Sequence, residues 1–315
     1  MADIKLIAEH YPAMRDLRDS ETVGFRGDVL CYWPNLDKPS FSTDAQGFRH
    51  SILAGRKYSL VDCTQSPRYG VVLGPSTMFA SGFAGNDRTM ASRLSERFGF
   101  PFANGAMPGG NSRNLNALLV GILAAARQPP AVIILSNGGD LANFCDTGFA
   151  DPVFGSPNHV QIKAIRDTGL AADLEAAFSR LLVFTRLWTS MTAGLCKARK
   201  IPLVLLHQST FFEKTEPSAA ERHFKLGEPS RRGHQQLFAN FRTFNSRFFA
   251  NRQQLAKELG LPIAGVGLTD RLVFVDEFHL HADSLKLLSD SVGDVIEPLL
   301  GGGKPKTAKK KAPAA

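Results

Sequence analysis

The chain has 315 residues, 43% of them hydrophobic, which is enough for a sizeable core in one large domain or two small ones. Its formal net charge is +8, and it contains no uninterrupted apolar run of the roughly 20 residues that a membrane-spanning helix needs. The first ten residues lack the hydrophobic core of a signal peptide. The sequence therefore predicts a cytoplasmic protein without a membrane span.

The positive charge is concentrated at the C-terminus. The segment 304–311 contains five lysines and no acidic residue, and without them the net charge is only +3. Residues 301–315 are therefore predicted to be a disordered, lysine-rich tail, and no specific nucleic-acid partner is expected. The alternative is weak binding of anionic polymers through this tail.

The four cysteines indicate neither disulfides nor a metal site. They are scattered, with no CxxC pair, at Cys31, Cys63, Cys145 and Cys196. In a cytosolic chain this pattern is typical of reduced, mostly buried thiols. No metal ion and no organic cofactor is expected.

The element pattern divides the chain into three parts. Residues 1–68 are predicted to be an N-terminal extension packed on the main body, with a short amphipathic helix in the first 20 residues and extended segments after it. Residues 69–300 alternate between apolar runs and helical periodicity, and 301–315 form the tail. The predicted strands are 69–73, 101–105, 131–135, 201–206 and 262–266. The predicted helices are 88–98, 111–126, 170–200, 234–259 and 283–300. Long connections are predicted at 144–168 and, as a polar lid-like segment, at 209–231.

This alternation predicts an α/β fold with a parallel sheet covered by helices on both faces. Right-handed crossovers place the carboxyl ends of all strands, and the loops after them, at one edge of the sheet. In open α/β sheets, ligands bind in the crevice at that edge. Side chains that follow different strands can therefore meet in one site.

Three residues after strands can form a nucleophilic site at that edge. Ser76 follows the first predicted strand, and Asp276 and His279 follow the last one. A serine hydroxyl becomes a nucleophile when a base takes its proton, and histidine suits this role when a carboxylate orients its ring. The structural alternatives are a serine that caps a helix and a hydrogen-bonded Asp–His pair without catalytic function.

Two glycine-rich segments follow the intermediate strands, at 104–111 and 136–143. Glycines allow backbone N–H groups to approach a developing oxyanion without obstruction by side chains. These segments are therefore the predicted source of oxyanion donors.

The order of these blocks resembles that of the SGNH hydrolases, also called the GDSL esterase/lipase superfamily. Gly74-Pro75-Ser76 is similar to the nucleophile block, Asn104–Gly109 to the glycine block, and Asp276-Glu277-Phe278-His279 to the DxxH block. The resemblance implies a three-layer α/β/α sandwich with a five-stranded parallel, flavodoxin-like sheet. It also implies that the N–H of Gly109 serves the oxyanion hole.

The third family block, GxND, is divergent. Here the corresponding residues are Asn137-Gly138-Gly139-Asp140, so glycine stands where the oxyanion-binding asparagine is expected. Either Asn137 or Asn143 can replace that asparagine after a small loop shift. Otherwise the hole keeps only backbone donors, and the loss of one donor typically costs about 10²–10³ in rate.

Other residues carry two interpretations each. Gln208, Asn143 and Arg49 are the predicted substrate-binding residues. Gln208 can instead make a loop hydrogen bond, and Arg49 can bind an anionic group or serve packing. His207 is expected to be a satisfied, half-buried histidine, and His281 is expected to point away from the site. A phenylalanine-rich helix is expected to pack in the core, with an acyl-pocket wall as the alternative. Its residues are Phe238, Phe241, Phe244, Phe248 and Phe249.

The combined expectation is a serine-dependent ester hydrolase that uses Ser76, His279 and Asp276, with Gly109 and Asn137 at the oxyanion. The resemblance to bacterial family members implies a small-molecule or glycan ester as substrate, for example an O-acetylated carbohydrate. Two alternatives remain on the same fold. One is an O-acyltransferase, and the other is a catalytically weak or inactive protein that binds glycan in surface-polysaccharide metabolism.

Overall fold

A computed structural model describes most of the chain. The described residues are 23–26, 29–38, 41–79, 84–147, 173–228 and 232–301. The strands are β1 (Val23–Arg26), β2 (Val29–Tyr32), β3 (Ser51–Leu53), β4 (Arg56–Tyr58), β5 (Gly70–Gly74), β6 (Phe102–Ala106), β7 (Val132–Leu135), β8 (Leu203–Leu206) and β9 (Ile263–Ala264). The α-helices are α1 (Leu60–Gln65), α2 (Ser76–Phe79), α3 (Met90–Phe98), α4 (Ser112–Ala125), α5 (Gly138–Thr147), α6 (Leu174–Ala198), α7 (Ala219–His223), α8 (Arg232–Leu259) and α9 (Ala282–Ile296). The predicted helix in residues 1–20, the tail beyond Gly301 and most of the predicted loop at 144–168 lie outside the described residues.

The centre of the fold is a parallel sheet of five strands in the order β6-β5-β7-β8-β9. This is the flavodoxin-like strand order, in which the first strand lies between the second and the third. Each of the five predicted strands is present, with its bounds shifted by a few residues. The predicted α/β fold class, a parallel five-stranded sheet between two helical layers, is confirmed.

The strands are apolar on both sides because helices cover both faces of the sheet. On one face, Val72 and Ile134 pack with α3 and α9. On the other face, Val71 and Ile133 pack with α1 and α4. Removing this apolar surface from water on both faces drives the assembly of the three layers.

The segment before the sheet is more regular than expected. It contains two antiparallel hairpins, β1–β2 and β3–β4, followed by α1. The hairpin β3–β4 is attached to the main body, since the N–H of Ile52 donates to Ser92 Oγ at 2.8 Å and the N–H of Ala54 donates to Glu96 Oε1 at 2.7 Å. Both acceptors lie on α3.

Two predicted connections contain helices instead. Helix α5 occupies residues that were expected to form a loop, because the glycine pair at its start reads as a turn when only the sequence is considered. In the lid-like segment, Lys214 pairs with Glu221 of α7 at 3.0 Å, and Lys214 Nζ attaches the segment to the body by donating to the carbonyl of Leu272 at 2.6 Å. Glu221 Oε1 also accepts a hydrogen bond from the N–H of Phe274 at 2.8 Å.

The helices in the described parts of the chain do not include one that is both long and apolar enough to cross a membrane. Cys63, Cys145 and Cys196 are buried and unpaired. The expectation that the thiols are buried is therefore confirmed for these three residues.

Candidate active site

Ser76 stands at a sharp turn between β5 and α2, at the carboxyl edge of the sheet. The turn needs a glycine at position 74, because a Cβ there would lie 2.4 Å from Met78 Cγ. The N–H groups of Met78 and Phe79 donate to the carbonyl of Pro75 at 2.9 and 3.2 Å. Ser76 is thus the first residue of a short helical turn, and its hydroxyl is presented at the edge of the sheet.

His279 reaches this hydroxyl from the segment that follows β9. Its Nε2 lies 3.0 Å from Ser76 Oγ. Its Nδ1 lies 2.8 Å from Asp276 Oδ2 and 3.0 Å from Oδ1. The three side chains therefore form one hydrogen-bonded chain from hydroxyl to imidazole to carboxylate.

The carboxylate of Asp276 is held by its own loop as well as by the imidazole. Its Oδ1 accepts hydrogen bonds from the N–H groups of Phe278 at 2.8 Å and His279 at 2.7 Å. Burial alone raises the pKa of this carboxyl, but the neighbouring His279 and these hydrogen bonds outweigh burial and lower the pKa below its ordinary value. Asp276 is thus kept ionised and oriented toward the ring.

Backbone N–H groups next to the hydroxyl are available as donors. The N–H of Ser76 lies in the first turn of α2, where helical N–H groups have no intrahelical partner. Gly109 has φ +60°, a left-handed conformation that favours glycine, and it lines the same cavity as Ser76. The loop after β6 is attached to the turn that precedes Ser76, because the N–H of Met107 donates to the carbonyl of Gly74 at 2.9 Å.

The glycine that replaces the family asparagine is Gly139, and its position does not accept a side chain. A Cβ at Gly139 would lie 2.0 Å from the carbonyl oxygen of Gly110. Real Cβ atoms do not approach a backbone atom this closely, so the start of α5 contacts the loop after β6 only because residue 139 is a glycine.

Asn137 is expected to serve the oxyanion, but the structure places its side chain away from the cavity. Its side chain is fully buried, its Nδ2 donates to Thr189 Oγ1 at 3.0 Å, and it does not line the cavity at Ser76. The amide turns toward α6 because Thr189 offers a buried acceptor there. Asp140 is also structural, since its carboxylate accepts hydrogen bonds from Ser112 Oγ at 2.6 Å and Thr185 Oγ1 at 2.7 Å.

Two of the predicted substrate-binding residues lie at the site. Asn143, on α5, lines the cavity, and its Nδ2 donates to the carbonyl of Gly109 at 3.2 Å. Gln208 follows β8, is 6% exposed and lines the same cavity. Its Oε1 accepts a hydrogen bond from Ser136 Oγ at 2.9 Å.

The expectation that Arg49 binds substrate is wrong. Its side chain is 1% exposed and does not line the cavity. The guanidinium donates to Asn86 Oδ1 at 2.8 Å, to the carbonyl of Phe79 at 2.8 Å and to the carbonyl of Ala84 at 2.5 Å. Arg49 therefore holds the chain at the C-terminal end of α2, and its packing alternative is the correct one.

The cavity that contains Ser76 and His279 has a volume of about 80 Å³. Its apolar walls come from α5, α8 and the loop before His279. They are formed by Leu141, Phe241, Phe249 and Phe278. The phenylalanine-rich helix α8 thus serves both the core and the cavity wall. A larger hollow of about 450 Å³ between α1 and α4 is lined by no ionisable side chain.

Two further histidines, His207 and His281, have structural positions. His207 is buried, with its Nε2 2.7 Å from Glu213 Oε2. His281 precedes α9, and its Nδ1 accepts a hydrogen bond from the N–H of Asp283 at 3.3 Å. Within the described ranges, no three His, Cys, Asp or Glu side chains form a group that could hold a metal ion.

The sequence matches no protein-family model, and no curated protein is similar to it. Solved structures that are similar to the chain include two esterases and a GDSL-like lipase. A carbohydrate acetylesterase family member from Sinorhizobium meliloti is 12% identical, with 74% of this chain and 99% of that chain covered and a TM-score of 0.47.

Two further structures have similar values. A variant of an acetyl-xylooligosaccharide esterase from a Geobacillus species is 11% identical over 75% of this chain and 95% of that chain, with a TM-score of 0.44. A GDSL-like lipase from Bacteroides thetaiotaomicron is 15% identical over 73% of this chain and 88% of that chain, with a TM-score of 0.39.

Proposed function

We propose that this protein is a serine esterase that hydrolyses small acyl esters, with Ser76 as nucleophile, His279 as base and Asp276 as the group that orients His279. The hydrogen-bonded chain from Ser76 Oγ through the imidazole to Asp276 is the observation that supports this proposal. A serine, a histidine and a carboxylate linked in this order form the arrangement that activates a hydroxyl for acyl transfer.

In the acylation step, Ser76 Oγ attacks the acyl carbonyl carbon while His279 Nε2 accepts the hydroxyl proton. The carbonyl oxygen becomes an oxyanion, which the N–H groups of Ser76 and Gly109 stabilise. The C–O bond to the alcohol then breaks, and His279 returns the proton to the departing alcohol oxygen. Asp276 stabilises the transient imidazolium through Nδ1.

In the deacylation step, water takes the place of the alcohol. His279 accepts a proton from this water, whose oxygen attacks the acyl-Ser76 carbonyl carbon. The bond to Ser76 Oγ breaks, and the proton returns to that oxygen. The products are a carboxylic acid, an alcohol and the unchanged enzyme, so the reaction needs no metal ion or organic cofactor.

The size of the cavity favours a short acyl group. Its volume of about 80 Å³ is far below the about 300–1,000 Å³ of sites for drug-sized ligands. A short acyl group such as acetyl suits a cavity of this size. The O-acetyl groups of carbohydrates are the natural substrates that the family resemblance implies.

Replacing Ser76 by alanine tests the mechanism. The Ser76→Ala variant should lose hydrolysis of p-nitrophenyl acetate and labelling by a fluorophosphonate probe, while its thermal unfolding stays close to that of the wild type. Ser179→Ala, on the exposed face of α6, is the matched control and should retain both activities. Wild-type activity that persists in Ser76→Ala contradicts the proposal.

Substrate length is tested separately. Among p-nitrophenyl esters of increasing chain length, kcat/KM should be highest for acetate and should fall steeply toward octanoate. Release of acetate from an acetylated xylose tests the carbohydrate class. An equal rate for acetate and octanoate contradicts the short-acyl assignment but leaves the mechanism standing.

A second candidate is a non-catalytic glycan-binding protein on the same fold. The exclusion of any side chain at Gly139 favours it, because the site then lacks the family asparagine. Stoichiometric labelling of Ser76 in the wild type decides for the esterase, and absence of labelling decides for the binding protein.

A further inference from the structure

A side-chain amide that assists the backbone donors at the oxyanion does not come from the segment 136–143. Asn137 points into α6, and Gly139 has no room for a side chain. Asn143 lines the cavity, but its Nδ2 is directed at the carbonyl of Gly109. The neighbouring strand β8 contributes a different amide, that of Gln208.

We infer that the Nε2 of Gln208 is a side-chain donor to the oxyanion, in the role that the family block assigns to asparagine. This inference rests on the proposed esterase function. It depends on the position of the Gln208 amide, on the direction in which Ser136 holds the amide, and on the space left open because Gly138 has no side chain.

The amide of Gln208 packs directly against Gly138, at the start of α5. A Cβ at Gly138 would lie 2.7 Å from Gln208 Oε1 and 3.1 Å from Nε2. Any side chain at position 138 would therefore displace the amide. The two consecutive glycines thus have separate effects. Gly139 allows the start of α5 to contact Gly110, and Gly138 leaves room for the amide of Gln208, which follows β8.

The direction of the amide is set by Ser136. Its hydroxyl donates to Gln208 Oε1 at 2.9 Å, and this bond leaves Nε2 as the outward end of the amide. In the described parts of the chain, Nε2 has no hydrogen-bond partner, although Gln208 is only 6% exposed. Since Gln208 lines the cavity together with Ser76 and Gly109, a substrate oxygen in that cavity is the natural acceptor.

A donor in this position acts on the rate more than on binding. The carbonyl oxygen of the substrate carries little charge in the ground state and a full negative charge in the tetrahedral intermediate. An amide N–H fixed in advance therefore stabilises the transition state more than the bound ester. Its removal should lower kcat and leave KM nearly unchanged.

Two replacements of Gln208 test this inference with p-nitrophenyl acetate. Gln208→Glu keeps the acceptor for Ser136 Oγ but loses the donor, and Gln208→Leu removes both. Each should lower kcat by about 10²-fold with KM within about threefold. Gln253→Glu, at an exposed position of α8, is the control for the chemical change and should retain full activity.

An inhibitor supplies a readout that a merely structural role would not change. Methylboronic acid forms a tetrahedral anionic adduct with a serine hydroxyl, so its affinity should fall in both variants in parallel with kcat/KM. Fluorophosphonate labelling of Ser76 should be slower but should still reach completion, which shows that the site remains folded.

The outcomes separate the inference from the proposed function. A wild-type protein that is neither labelled nor active defeats the esterase proposal itself. An active wild type with Gln208→Glu and Gln208→Leu within threefold of its kcat overturns the inference alone. A rise in KM at unchanged kcat also overturns it, because Gln208 would then bind the substrate equally in both states. If Gln208→Leu is unfolded by thermal melting, Gln208→Glu decides.

Discussion

The Nε2 of His279 lies 3.0 Å from the hydroxyl oxygen of Ser76, although the two residues are 203 positions apart in the chain. They meet because Ser76 follows β5 and His279 belongs to the segment after β9, and both strands belong to the same parallel sheet. Parallel strands bring their carboxyl ends to one edge, so the two segments converge there. Replacing residues around this pair distinguishes those that stabilise the site from those that line its cavity.

The first prediction concerns Asp276 and acid stability. Its pKa is lowered in the folded protein, so the ionised carboxylate contributes stability above the unfolded pKa of about 3.9, and this contribution is lost as the pH falls through the folded pKa. Asp276→Asn has no carboxylate to protonate. The difference in unfolding free energy between the wild type and Asp276→Asn should therefore narrow on acidification from pH 7 toward pH 3.

Urea unfolding at pH 7, 5, 4 and 3 measures this difference. Asp87→Asn, at a carboxylate with 67% side-chain exposure, controls for the removal of one negative charge. A difference between wild type and Asp276→Asn that stays constant over the whole range would show that the ionised form is not favoured by folding.

The second prediction concerns Gly139 and the family consensus. Gly139→Asn introduces the asparagine that the resemblance to SGNH hydrolases predicts at this position, but it places a Cβ 2.0 Å from the carbonyl oxygen of Gly110. We expect Gly139→Asn to lower both thermal stability and kcat, because the start of α5 must move away from the loop after β6. Gly121→Ala, where a Cβ meets nothing within 4 Å on a helix, should instead raise stability by about 0.5–1 kcal/mol. An activity gain in Gly139→Asn contradicts this reading.

The third prediction concerns Arg49. Arg49→Lys replaces a planar guanidinium by a single ammonium group, which does not reproduce the three directed hydrogen bonds to Asn86, Phe79 and Ala84. The unfolding free energy should fall by about 2–3 kcal/mol. Arg88→Lys, at a side chain with 61% exposure, should change it by less than about 0.5 kcal/mol. Urea titration monitored by circular dichroism compares the two, and equal effects would rule out the clamp at the end of α2.

The fourth prediction concerns Asn137. Asn137→Ala loses the hydrogen bond to Thr189 and should cost about 1 kcal/mol of stability. Since the amide does not face Ser76, kcat for p-nitrophenyl acetate should stay within about threefold of the wild type. Thermal unfolding and steady-state kinetics of the same preparation give both values. A 10²-fold loss of kcat without a change in stability would assign Asn137 to the oxyanion after all.

The central sheet could be predicted because its strands are short apolar runs between turn residues. Val71, Val72 and Leu73 are completely buried, and no polar alternation competes with that reading. Helix α5 could not be predicted in the same way, because it begins with Gly138 and Gly139 and glycine usually ends regular structure. The glycines are there for close contacts with Gln208 and Gly110, which lie far away in the sequence.

The sequence by itself determined the alternation of strands and helices, the order of the serine, aspartate and histidine blocks, and the absence of an asparagine before Asp140. These features depend on residue type and on neighbours within a few positions. Tertiary structure alone decided that Asn137 faces α6, that Arg49 is a buried clamp and that the amide of Gln208 lies over Gly138. The direction of a side chain follows from the packing of segments that are distant in sequence, and local periodicity carries no information about that packing.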